Sequence, residues 1–109
     1  MFNLNLEKPT VLAMTLSEFK EQVETEEAPV HLSVYLRALW YDAKGDWKLA
    51  HDLVDQMPGA DAAYVHAYLH RKEGDQFNAD YWYRRSGRPR PQLSLEKEWE
   101  ELVSYFLTK

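Results

Sequence analysis

A chain of 109 residues with 45% hydrophobic and 14% aromatic content is long enough to bury a core, and its lack of cysteine excludes disulfide frameworks, thiolate metal sites and cysteine nucleophiles. A net charge of −5 argues against general nucleic-acid binding, yet six Lys/Arg oppose three Asp/Glu between residues 70 and 90, a local +3 that leaves −8 on the remainder. No run approaches the roughly 18 apolar residues of a membrane span, and MFNLNLEKPTVLAM lacks the basic and apolar regions of a signal peptide, so a cytoplasmic location away from membranes is expected.

Residues 1–14 contain Pro9 and show no helical period, so an extended or partly ordered lead-in is expected before a single all-α domain over 15–109. Thr15 and Glu18 form a T-x-x-E capping box, and Leu16, Phe19 and Val23 recur as one helical stripe. The acidic run 24–27 reads as a solvated helix end and loop. A second helix is expected from Pro29 to Lys44, apolar on most sides and therefore largely buried, with Gly45 ending it. Asp46 caps a third helix with core positions Trp47, Ala50, Leu53, Val54 and Met57.

Pro58-Gly59 breaks the chain, and Asp61 is expected to cap a fourth helix running to Glu73, where Gly74 stops it. Asp75 caps a fifth helix, Gln76 to Ser86, with Ala79, Trp82, Tyr83 and Ser86 on one face. GRPRPQ is a loop, since each X-Pro unit disfavours helix before it. Ser94 caps a last helix bearing Leu95, Trp99, Leu102 and Phe106, with acidic first turns that suit the helix dipole. The expected fold is an all-α, compact bundle of about six helices.

KGDWKLA (44–50) and EGDQFNA (73–79) share G-D-x-x-x-A at a spacing of 29, and the same register pairs Tyr35 with Tyr64 and Ala38 with Ala67. A glycine stops one helix, an aspartate starts the next, and a small alanine lets the two approach, which makes a helical hairpin used twice. Over residues 30–86 this pattern resembles the tetratricopeptide repeat, although that family's period is 34 and its terminal proline is missing here. The resemblance implies a scaffold for partners. The block VHAYLHRKEGD..NA.YWYRRSGR (65–88) also resembles a family of small uncharacterised bacterial proteins, which brings no activity with it.

Candidate site residues cluster around the second hairpin. His66 and His70 lie one helical turn apart with Glu73 on the same side, and His51 on the preceding helix is placed to face them. Two imidazoles with a carboxylate suit zinc or non-haem iron. H-x-x-x-H is a common spacing, however, and the repeat register puts both histidines at helix-packing positions, so no metal or cofactor is assigned. Asn78, Tyr81 and Arg85, with Arg71, could orient a small polar or anionic ligand. The resulting expectation is a binding module for a protein or for such a ligand, as monomer or homodimer. The alternative is a small enzyme, metal-assisted through His51, His66 and His70, or a hydrolase or lyase in which an acid such as Asp55 works with those histidines.

Overall fold

The computed structural model describes residues 14–25 and 27–109, folded as six helices: α1 (Leu16–Val23), α2 (Val34–Ala43), α3 (Trp47–Asp55), α4 (Ala60–Lys72), α5 (Gln76–Ser86) and α6 (Leu95–Leu107). The fold is all-α, as the periodicity indicates. The expected lead-in falls outside the described residues except for Met14, as does Glu26 of the acidic run. No helix among the described residues is long and apolar enough to cross a membrane.

The local signals that set helix ends act as read in most places. The Thr15 hydroxyl accepts from the Glu18 N–H at 3.1 Å and the Glu18 carboxylate accepts from the Thr15 N–H at 2.9 Å, a closed capping box. Three boundaries differ from expectation. Helix α2 begins at Val34, because Ser33 offers a hydroxyl to the Leu36 N–H at 3.2 Å, whereas Pro29 can only open a turn, closed by the Leu32 N–H on the Pro29 carbonyl. Helix α4 enters directly from Gly59, whose φ of 98° suits glycine. Asp61 sits in its first turn and caps nothing: its carboxylate accepts from the Tyr105 hydroxyl at 2.9 Å. Finally, Met57 and Leu95 are exposed, since α3 ends before Met57 and Leu95 opens α6 on the outside.

The internal repeat is geometric as well as sequential. Gly45 and Gly74 both take φ 90°, and Asp46 and Asp75 follow at φ/ψ of −102°/73° and −99°/76°. Each aspartate donates its N–H to a carbonyl five residues earlier, Tyr41 or His70, at 2.9 Å in both turns. Each then accepts the N–H three residues on with its carboxylate, from Leu49 at 3.1 Å or Asn78 at 3.2 Å. Two hairpins, α2–α3 and α4–α5, thus close by the same hydrogen bonds. Ala67 and Ala79 are buried where α4 and α5 meet, with Tyr83 beside them.

Helix α6 packs on α1, α2 and α4, which turns the pair of hairpins into a bundle. Trp99 donates its indole N–H to the Leu39 carbonyl at 3.0 Å, and Phe19 sets its ring edge-on to Trp40 at 5.1 Å. Two carboxylates are buried in this core with partners. Asp42 accepts from the Tyr68 hydroxyl at 3.0 Å and from Lys72 Nζ at 2.9 Å, which ties the first hairpin to the second. Glu98 on α6 accepts from Arg71 Nη1 at 2.7 Å and from the Tyr83 hydroxyl. Burial against these acids pushes both phenols up from their ordinary range, so they stay as donors.

Candidate functional site

Helix α3 of the first hairpin lies against helix α4 of the second, and their contact carries the three histidines singled out in the sequence. One turn of helix separates His66 from His70, so the two rings stack with centroids 5.4 Å apart. His51 reaches across from α3, its ring 4.7 Å from that of His66 and 5.3 Å from that of His70. The Nε2 atoms of His51 and His66 are 3.0 Å apart. One ligating nitrogen from each of the three rings falls within 4.8 Å of the others.

Tryptophans and carboxylates hold these rings in place. His51 stacks on Trp47 at 4.9 Å and 13°, and His66 on Trp82 at 4.0 Å and 23°. Trp47 is itself fixed by donating its indole N–H to the Leu69 carbonyl at 2.7 Å. Glu73 meets His70 Nδ1 at 2.7 Å, the geometry in which Nδ1 carries the proton and Nε2 keeps its lone pair. Asp55 Oδ1 stands 3.6 Å from His66 Nε2 and 3.9 Å from His51 Nε2. Burial, with His51 and His70 beside it, pushes the His66 imidazole down to about 4, against a weaker opposing pull from Asp55. His66 is therefore neutral at physiological pH. A neutral imidazole is a lone-pair donor, which is what a Lewis acid or a donated hydrogen bond requires.

The four other predicted residues do not join this cluster. Arg71 shares α4 with the histidines but turns to α6, where its guanidinium serves Glu98 and the Leu93 carbonyl. Asn78 bends back to donate its amide to Asp75 Oδ2 at 2.7 Å, reinforcing the α5 cap. Tyr81 and Arg85 do pair, with Nη1 donating to the phenol oxygen at 2.9 Å and the guanidinium 5.3 Å from the Trp82 ring centre. Through Trp82, that pair adjoins the back of His66. Asn78, Tyr81 and Arg85 are all exposed on the outer side of α5, and Phe77, 83% exposed, lies beside them.

Sequence reasoning passed over Trp47 and Trp82 as parts of the site, and reached Asp55 only as an acid that could work with the three histidines in an enzyme. Its signal is the spacing: Asp55 lies four residues after His51 and so on the same side of α3. Trp82 had one too, as the half-buried neighbour of Tyr83 on the packed face of α5.

Comparison of this chain with protein-family models, with curated proteins and with solved structures finds no match.

Proposed function

We propose that this chain is a small helical binding module whose ligand is held where the two hairpins meet, at His51, His66 and His70. The observation that carries this reading is the convergence of three imidazoles from two hairpins within 4.8 Å of one another. The repeat register sharpens it. In the first hairpin Arg37 and Tyr41 stand where the second has His66 and His70, and Asp80 in the second stands where the first has His51. The two hairpins share their turn residues and depart from each other at the positions that build the cluster. A pair of tetratricopeptide-like hairpins gives such a cluster a rigid frame, because all three rings are carried on helices, two of them stacked on tryptophans and the third held by Glu73.

His66 is also costly to the fold as a purely structural residue. It is 2% exposed, and its only hydrogen-bonding contact within the described chain is another imidazole, 3.0 Å away. An apolar side chain there would pack on Trp82 with no polar atoms to satisfy.

The test is native mass spectrometry after equilibrating the purified protein with the small-molecule and ion fraction of a cell extract. Wild type is expected to retain a non-protein mass that His51→Gln loses, with the two helical spectra superposable. A mass retained equally by both, or by neither, overturns the reading.

A further inference from the structure

The chemistry of that ligand follows from the spacing of its donors, and this step rests on the reading just given for the junction. A tetrahedral ion bound through bonds of about 2.0–2.1 Å separates its donors by about 3.3 Å. The three edges among His51 Nε2, His66 Nε2 and Asp55 Oδ1 are 3.0, 3.6 and 3.9 Å, which bracket that value. His70, with Nδ1 committed to Glu73, leaves Nε2 as its free nitrogen. We propose that the hairpin junction is a binding site for a divalent transition-metal ion of the zinc, cobalt and nickel class, held by His51, His66, His70 and Asp55.

Four further observations support that class. The contact between His51 Nε2 and His66 Nε2 leaves room for a proton or an ion, and for nothing larger. When an ion takes the place of the shared proton, that proton moves to a ring Nδ1; for His51 this nitrogen already faces Asp52 Oδ1 at 3.9 Å. Glu73 on His70 makes a carboxylate–histidine pair of the kind that fixes ring orientation and raises ligand basicity at metal sites. The donor set of three imidazoles and one carboxylate selects borderline transition ions over calcium and magnesium, which require mostly oxygen. Ring stacking on Trp47 and Trp82 fixes two of the ligands before any ion arrives.

A second group of donors, His70, Glu73 and Asp75, overlaps the first through His70. Both Asp75 oxygens are already engaged by Asn78, through its backbone N–H and its side-chain amide, in capping α5. The junction is therefore the better site.

The experiment uses the full chain, stripped with chelator and dialysed, and titrated separately with zinc, cobalt and magnesium chlorides by calorimetry and visible absorption. Expected are one zinc or cobalt ion per chain, intense visible bands of four-coordinate cobalt, and no response to magnesium. His51→Gln, on a half-buried ring, is expected to weaken binding at least 100-fold with the helical spectrum of wild type retained. Glu73→Gln, which touches no ion, is expected to weaken it roughly 10- to 100-fold. Failure of folded wild type to bind zinc or cobalt overturns the proposal, as does binding that His51→Gln leaves unchanged. Retention of an organic mass at the junction in the extract experiment, with no zinc or cobalt binding, would sink the metal assignment alone and leave the binding reading intact.

Discussion

The buried Glu98 carboxylate depends on two donors from other helices, Arg71 and Tyr83, and losing either leaves charge or acceptor capacity stranded in the core. Arg71→Met is expected to cost about 3–5 kcal/mol in urea unfolding. The double change with Glu98→Met should restore much of that loss, because it removes the stranded charge with its partner. His66 supplies a pH signature of opposite sign to a usual salt-bridged histidine. Its folded value lies near 4 and its ordinary value at 6.5, so the folded state binds fewer protons across that window. In chelator, stability is expected to be full above 6.5 and to fall as pH drops toward 4, at up to about 1.4 kcal/mol per pH unit, with no further loss from this group below. Urea midpoints at successive pH values check this, and His66→Gln should flatten the curve.

At the scale of elements, the two Gly-Asp turns should respond alike to the same substitutions. A Cβ at Gly45 or Gly74 meets nothing within 4 Å, so Gly→Ala there is penalised only by its φ of 90°. The expected cost is about 1–2 kcal/mol at each site, equal within error by thermal unfolding. Asp46→Ala and Asp75→Ala should each lose about 1 kcal/mol of cap. These turns were legible because a cap is a local event: glycine, aspartate and the N–H three residues on all lie within a short stretch of sequence. The start of α2 misled because Pro29 and Ser33 are both plausible openings, and only the second supplies an acceptor. His66 and His70 were legible as neighbours through helical spacing. Arg71 was not separable from them, since its partner Glu98 lies 27 residues on and shows in sequence only as one acid of an acidic helix start.

For the molecule as a whole, one apolar cluster takes residues from α1, α2, α3, α4 and α6, while Trp99 on α6 hydrogen-bonds to α2. Unfolding is therefore expected to be a single transition, with the near-ultraviolet signal of the tryptophans and the far-ultraviolet signal of the helices coinciding. An α6 that melted separately, seen as two midpoints, would contradict this. Helix α6 is joined to the second hairpin by the loop that follows Gly87, in which Arg88 lies over the Tyr64 ring at 3.8 Å and Arg90 pairs with Asp80. Each of these arginines is followed by proline, at 89 and at 91. Trypsin cleaves after arginine except where proline follows, and the two arginines before the loop, Arg84 and Arg85, lie within α5. This basic connection is thus built from Arg-Pro bonds that trypsin does not open, so the link to α6 should outlast a digest that removes looser segments.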